Sequence, residues 1–471
     1  MRALLISTYE VGRQPFGLAS PAAWLRREGW EVECVDTAKT SLQEPSITAA
    51  QLIGVHLPMH TATRLSGRVI EKARRLNASA RICAYGLYAP LNEPWLRSLG
   101  VDDVLGGEFE GDLAAIASDL ANGHEQQTRS TRSAQSHHLS ADSAVRRGLP
   151  RLKFLVPDRS GLPPLSRYAT LQMPDGTRKA VGSTEASRGC RHLCRHCPIV
   201  PVYRGQFRVV QPDVVLADIA AQVAAGAEHI TFGDPDFLNG PTHAMHVVDA
   251  MHASYPGVSF DVTIKVEHLL QHRHLLPRLA ASGCAFVTSA VESLDDRVLT
   301  FLDKGHTRAD FLEAVAVCRA AGVTLVPTFV AFHPWLSLQD YCDLLGALAE
   351  LDLVEHVAPI QLAIRLLVPE GSRLLDLPEL RSHLDDFDPA TLAYPWRHAD
   401  PRVDVLHRDV TALVGTQQTA DRRSSFDEIR ALAHQRAGLA RPDPVGATSG
   451  AAPFMSEPWY CCAEPNDLRV V

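Results

Sequence analysis

No run of about 18 apolar residues occurs in the chain, so no segment has the length of a membrane-spanning helix. The opening stretch Met1–Ser7 is too short in apolar residues for a secretory leader, and the expected location is cytoplasmic. A basic surplus is also missing. The 46 Lys and Arg against 54 Asp and Glu leave a formal charge of -8, which gives no general attraction for nucleic acid. Cysteine is scarce: 10 in 471 residues are too few for a disulfide scaffold, and a reducing compartment keeps such thiols free. Free cysteines are usually buried and inert, so any grouping of them is informative. Disorder is excluded for most of the chain by a composition of 46% hydrophobic and 21% charged residues. The length suggests about three domains.

What the chain does have is a repeated alternation of short apolar runs and amphipathic stretches. Within residues 1–121, Ala3–Ile6, Val32–Val35, Leu52–Val55, Arg81–Gly86 and Val101–Leu105 read as strands, with helices over Ser20–Glu28, Ser66–Leu76 and Asp112–Leu120. Such alternation implies a parallel sheet covered on both faces, a doubly wound, Rossmann-like α/β domain. Residues 122–156 are rich in Ser, Thr, Gln, His and Arg, lack apolar periodicity, and read as a linker. A second βα series begins near Ser183, with strands expected at Ile230–Phe232, Phe260–Ile264, Ala285–Thr288, Thr324–Val330 and Ala363–Leu367. Gly226, Gly283 and Gly322 follow its helices, as expected where the chain leaves a helix. This series predicts a partial (β/α)6, TIM-like barrel over residues 157–375, with function at the C-terminal ends of its strands. Residues 376–471 read as a small C-terminal extension.

Three cysteines, Cys190, Cys194 and Cys197, fall within eight residues in C-x3-C-x2-C spacing. Their neighbours Arg188, Gly189, Arg191, His192, Arg195 and His196 are wrong for a core segment. Two metal readings stay open. Structural zinc normally takes four ligands, and His192 or His196 would have to join the thiolates. A 4Fe-4S cluster on three thiolates leaves one iron open, the usual mark of a chemical role. Arg191, Arg195 and Arg204 are either anion-binding groups or loop solvation. Lys265 and Glu267, at the end of a predicted strand, are ligand contacts or plain surface charges. Cys34, Cys83, Cys284, Cys318 and Cys342 lie in or beside apolar runs and read as core residues. Cys461 and Cys462 are vicinal and sit near the end of the sequence. Adjacent thiolates suit a thiophilic element; the alternative is an idle terminus.

The triplet at the head of a βα series resembles the radical S-adenosylmethionine (SAM) superfamily, over about Pro157–Leu375. The resemblance implies that Cys190, Cys194 and Cys197 hold a 4Fe-4S cluster. It implies that Gly233–Asp234–Pro235 replaces a Gly-Gly-Glu-like turn at the methionyl amino group of SAM, with backbone rather than side chain as the contact. Glu292, in Ala290–Ser293 ahead of Lys304–Thr307, matches a fifth-strand segment of the SAM site. Thr328 falls where adenine packs, Glu267 joins the SAM candidates, and Pro369–Ser372 resembles a closing Pro-Gly-Ser segment. His196 stands where the superfamily commonly has an aromatic residue. Residues 1–121 resemble the cobalamin-binding domain of one branch, Gly106–Gly111 included. The Asp-x-His-x-x-Gly motif that offers cobalt a histidine is absent, so cobalamin is possible but not favoured. The ending Cys461-Cys462-Ala463-Glu464-Pro465 is similar to that of radical SAM enzymes of arsinothricin biosynthesis. This implies transfer of the 3-amino-3-carboxypropyl group of SAM to arsenite held by Cys461 and Cys462, forming a carbon–arsenic bond. It further implies a small-molecule substrate, an electron donor such as flavodoxin or ferredoxin, and no nucleic-acid or membrane partner. The rivals are a cobalamin-dependent radical SAM methyltransferase and a non-enzymatic iron-sulfur or metalloid sensor.

Overall fold

The computed structural model describes residues 1–123, 152–416, 421–446 and 450–457. Most of the predicted linker, and the tail with Cys461 and Cys462, lie outside the described residues. The first sheet comprises β1 (Arg2–Ser7), β2 (Glu31–Asp36), β3 (Leu52–His56), β4 (Arg81–Tyr85) and β5 (Asp103–Leu105), all parallel in the order 2-1-3-4-5. Its strands are apolar throughout because both faces are covered. Leu4 and Ile6 feed the core on one face, while Ala3 and Leu5 feed the core on the other. Cys34 and Cys83 lie in the second of these cores, as expected, and burial pushes the Cys34 thiol up to about 12. The strand order reverses between β1 and β3, which opens a crevice at the C-terminal ends of these strands.

The first helix differs from its expected start. It runs Phe16–Arg27 rather than from Ser20, with Pro21 inside it. A proline there removes the hydrogen bond to the carbonyl of Gly17. The Tyr85 hydroxyl donates to that carbonyl instead, at 2.9 Å, which is why the helix tolerates the proline.

The second sheet contains β7 (Arg178–Thr184), β10 (His229–Phe232), β11 (Ser259–Thr263), β12 (Cys284–Glu292) and β13 (Leu325–Phe329) as neighbouring parallel strands, the curled half-barrel. At its other edge β6 (Thr170–Gln172) pairs antiparallel with β7, and β14 (Phe454–Met455) pairs antiparallel with β6. A short antiparallel pair, β8 (Ser187–Gly189) and β9 (Phe207–Val209), follows β7. The strand expected at Ala363–Leu367 does not form. Pro359–Ala363 is a 3-10 turn, and Arg365 makes one isolated bridge to Phe332. The wall there is built by the helices Pro401–Thr416 and Arg422–Ala437. Their Val403, Leu406, Val410, Phe426, Ile429 and Ala433 join the main barrel core. Through these helices the C-terminal extension packs onto the barrel core.

Candidate active site

The cysteine loop leaves β8 at Gly189, whose φ is +77°. A Cβ on Gly189 would stand 2.4 Å from the Gln206 carbonyl oxygen and from the Tyr203 ring, so only glycine fits this approach. Beyond it the loop is clamped from two sides. The Arg195 amide donates to Leu302 O at 2.9 Å, and its guanidinium donates to Thr300 O and Phe301 O. Ser372, the last residue of the predicted closing segment, and Arg373 beside it donate to Arg195 O and Leu193 O at 3.3 and 2.7 Å. Arg195 thus acts as a fastener. Arg191 lies over the Phe207 ring at 4.7 Å.

Cys190, Cys194 and Cys197 line one cavity of about 350 Å³ between the strand ends of the two sheets, a size typical of small-ligand sites. Gly233, Asp234, Pro235 and Glu292 line the same cavity. Among the described residues these three are its only thiols. Burial pushes the Cys190 thiol up to about 12 and raises that of Cys194, against the pull of Lys304 and Lys265. A metal that displaces the thiol protons removes this penalty, so the donor set suits a thiolate-bound metal group.

Around the loop lies a charged lining. Lys265 Nζ sits 3.0 Å from His192 Nδ1 and 3.3 Å from Glu267 Oε2. His192 Nε2 is 3.4 Å from Asp236 Oδ2, which His268 Nδ1 also approaches to 2.7 Å. Ligating atoms of Cys190, His192 and Asp236 lie within 4.8 Å of one another, the grouping a zinc reading would use. Lys265 meets one ring nitrogen of His192, while the other, Nε2, faces Asp236 Oδ2 at 3.4 Å without a hydrogen bond, so this grouping stays open as a ligand set.

Glu292 ends β12 in a left-handed conformation, φ +71°, a strained state for a residue with a side chain. Its Oε1 lies 3.1 Å from His196 Nε2 and 3.3 Å from Lys304 Nζ. Burial opposes its charge, but Lys304 and His196 prevail and hold the carboxyl at about 2. Asp234 is turned to the frame: it accepts from the Ala186 amide at 2.9 Å and the Ser187 hydroxyl at 2.5 Å, and burial pushes it up to about 7. Two predicted SAM residues are not on the cavity wall. Glu267 is half-exposed beside Lys265, and Thr328 is buried on β13 in register with Ala290. Cys318 and Cys342 sit in the barrel core and Cys284 packs against it.

The opposite wall was not anticipated. Glu10 and His56, 3.4 Å apart, line the cavity from the crevice between β1 and β3. Arg188, buried at the domain seam, donates to Glu110 at 2.9 and 2.6 Å and to Glu185 at 2.7 Å, with Glu108 3.9 Å away. Burial pushes Glu108 up to about 7. The one sequence signal was Gly106–Gly111, which carries both Glu108 and Glu110.

Residues 184–345 match the Radical SAM superfamily. Over 207 residues the chain is 27% identical to the tRNA-2-methylthio-N(6)-dimethylallyladenosine synthase of Desulfosudis oleivorans, covering 40% of each chain. The enzyme of that name from Chlorobium phaeobacteroides is 28% identical over 167 residues, 33% of this chain and 36% of the relative. The chain thus spans about two fifths or less of the length of these relatives. Among solved structures, the cobalamin-dependent SAM radical enzyme OxsB with aqua-cobalamin bound superposes with a TM-score of 0.62 at 13% identity, covering 93% of this chain and 71% of that one. The radical SAM methyltransferase TsrM from Kitasatospora setae, with cobalamin and a 4Fe-4S cluster bound, gives 0.55 at 16% identity, covering 74% and 70%. These likenesses show the fold. The matched segment carries the features of a radical SAM domain, of a superfamily that uses a 4Fe-4S cluster and SAM, and the fold around it is the one seen in OxsB and TsrM. Among the described residues no helix is long and apolar enough to cross a membrane.

Proposed function

We propose that the chain is a radical SAM transferase that moves the 3-amino-3-carboxypropyl group of SAM to arsenite held by Cys461 and Cys462. The observation that carries this reading is where the C-terminal segment docks. β14 joins the barrel sheet, and Glu457 then accepts a hydrogen bond from Tyr9, next to cavity residues Glu10 and Val11. Cys461 follows four residues later.

In this reading Cys190, Cys194 and Cys197 hold the 4Fe-4S cluster. When bound, the cluster supplies the electron that opens a carbon–sulfur bond of SAM, drawn from a donor such as flavodoxin or ferredoxin. The protein does the rest. Asp234 anchors the Gly233–Pro235 turn through Ala186 and Ser187, which leaves the turn's backbone for the methionyl group. Lys265 and Lys304 put positive charge beside the thiolates and would meet the carboxylate of bound SAM, and Glu292, held ionised by Lys304 and His196, would meet a cationic part of it. The vicinal thiols desolvate and orient arsenic, so that the alkyl group meets it before solvent. Cobalamin is possible but not favoured, because the Asp-x-His-x-x-Gly motif that would offer cobalt a histidine is absent from residues 1–121. No step here uses it.

A second reading, a cobalamin-dependent methyltransferase, draws on the likeness to TsrM and OxsB. A tRNA substrate, as named for the curated relatives, gains no support from a net charge of -8. The nucleoside formed by the reduced enzyme with SAM, with and without arsenite, decides between them. Arsenite-dependent methylthioadenosine is expected; S-adenosylhomocysteine would establish methylation instead, and 5′-deoxyadenosine hydrogen abstraction. Cys190→Ala should abolish both the iron-sulfur absorption and SAM cleavage, and retention of full iron content would overturn the ligand assignment.

A further inference from the structure

The cysteine loop has an outer side as well as the side that faces the cavity. Leu193, between two of the thiols, is 45% exposed, and Val209 at the end of β9 is 47% exposed. Apart from Met1, no large apolar side chain among the described residues is more exposed. The two belong to one surface. A Cβ on Gly205 would stand 3.3 Å from Leu193 Cδ2 and 3.4 Å from Arg191 O. The Arg191 guanidinium lies over Phe207, and Phe207 and Val209 both border Gly240. Around these apolar groups the charge is mostly of one sign. Arg191 and Arg204 are exposed, and Arg195, Arg208 and Arg373 are partly exposed. The carboxylates beside the clamping segments are Asp303, Glu370 and Asp376, so arginine is in excess on a chain whose net charge is -8. Clamping explains Arg195 and Arg373, which hold backbone carbonyls. It does not explain why Leu193 and Val209 are left in water.

We propose that this patch is the docking site for an acidic one-electron donor protein of the flavodoxin type. An apolar centre within a charged rim is the anatomy of a protein interface, and the sign of the rim selects an acidic partner. Redox encounters bury little surface and are transient, which suits a patch with few apolar residues. The patch and the thiols share one loop: Arg191 follows Cys190, and Leu193 precedes Cys194. A partner seated here therefore meets the segment that holds the electron acceptor. In the step it serves, the donor's anionic flavin hydroquinone is oxidised to the neutral semiquinone, and the oxidised cluster takes up the one electron released, with no proton transferred. A nucleic acid fits less well, because Arg191 covers the Phe207 face on which a base would stack. The proposal rests on the reading of Cys190, Cys194 and Cys197 as cluster ligands and is independent of the acceptor.

The probe is flavodoxin. The full-length, cluster-loaded enzyme is compared with two variants: the double change Arg191→Glu and Arg204→Glu, and Val209→Asp, which lies outside the thiol loop. Association is measured by surface plasmon resonance at low and high ionic strength. SAM cleavage is measured with reduced flavodoxin and, separately, with dithionite, a small reductant that needs no docking surface. Steering by opposite charge raises association rates by about 10–10³-fold. The double variant should therefore associate about tenfold more slowly at low ionic strength, and the difference should shrink at high ionic strength. Flavodoxin-driven cleavage should fall in both variants, while dithionite-driven cleavage and iron content stay within about twofold. Should a variant lose iron, association measured on cluster-free protein decides. Flavodoxin association equal to that of the unmodified enzyme in both variants overturns the proposal. So does arginine-dependent binding of tRNA in place of flavodoxin, or a dimer of this chain that the same variants break. Failure of the underlying reading is seen differently, as an unmodified enzyme that cleaves no SAM even with dithionite.

Discussion

The two walls of the cavity are built alike and charged differently. Each is the C-terminal edge of a parallel sheet, where loops can place polar groups on a rigid frame. The barrel wall is cationic beside the thiols: Lys265 and Lys304 stand near Cys194, and Glu292 turns Oε1 to Lys304 and His196 while its buried Oε2 has no hydrogen-bond partner among the described residues. The N-terminal wall and the seam behind it are rich in carboxylates, Glu10, Glu108 and Glu110, with Glu185 reaching across from the barrel. One guanidinium, Arg188, serves three of them, and Glu108 at about 7 shows that a single cation does not satisfy the group. The difference separates two tasks. The lysines of the barrel wall offset negative charge beside the thiols, while the acidic seam binds the two domains together through Arg188.

The sharpest way to break this comparison is Arg188→Met, which strands buried carboxylates without their cation. Removing one partner of a buried ion pair costs about 3–5 kcal/mol, so calorimetry should show a large fall in unfolding temperature. An unchanged value would mean that the seam is held by something else. A smaller effect comes from pH. His306 is held at about 4 and His333 at about 3, both by burial, below the ordinary histidine value of about 6.5. Below that value the unfolded chain takes up protons that the native chain refuses, so stability falls as pH falls from about 6.5 toward 4. Between pH 6 and 5 each histidine should contribute a loss of about 1 kcal/mol, and His333→Gln should remove its share from the pH profile of denaturant unfolding. Thr328→Val should change stability by less than about 1 kcal/mol and leave the KM for SAM unaltered, since Thr328 is off the cavity wall and its hydroxyl has no partner among the described residues. Glu267→Gln should be the mildest, within about twofold in KM, because a half-exposed ion pair is worth little. A tenfold rise in KM for either would move that residue onto the wall.

The legible parts of this molecule were those in which one short stretch carries the whole signal. The cysteine loop and the Gly233–Pro235 turn are contiguous, and both reach the cavity. Strands buried on both faces appear as apolar runs, but the same signal misled at Ala363–Leu367, where burial occurs without a strand. The helices over Pro401–Thr416 and Arg422–Ala437 have apolar residues at helical spacing, Val403, Leu406, Val410 and then Phe426, Ile429, Ala433. Interleaved Arg, His and Asp kept the mean hydropathy of those stretches low and hid the pattern. The acidic wall was beyond reach for a different reason. Residues 10, 56, 108, 110, 185 and 188 are ordinary one by one, and only the docking of two sheets brings them together.

The Tyr9–Glu457 bond joins residues 448 positions apart. Both domains must be in place before so long a loop can close, so this contact belongs to the last stage of folding. At about 5–20 residues per second, a ribosome needs roughly 20–90 s to pass from Tyr9 to Glu457. For that interval the loop after β1 exists without the Glu457 carboxylate, which fills the space beside Gly12 that a side chain would take. A nascent N-terminal domain therefore waits with an open Gly12 recess, and a chain whose synthesis stalls before Phe454 never closes it.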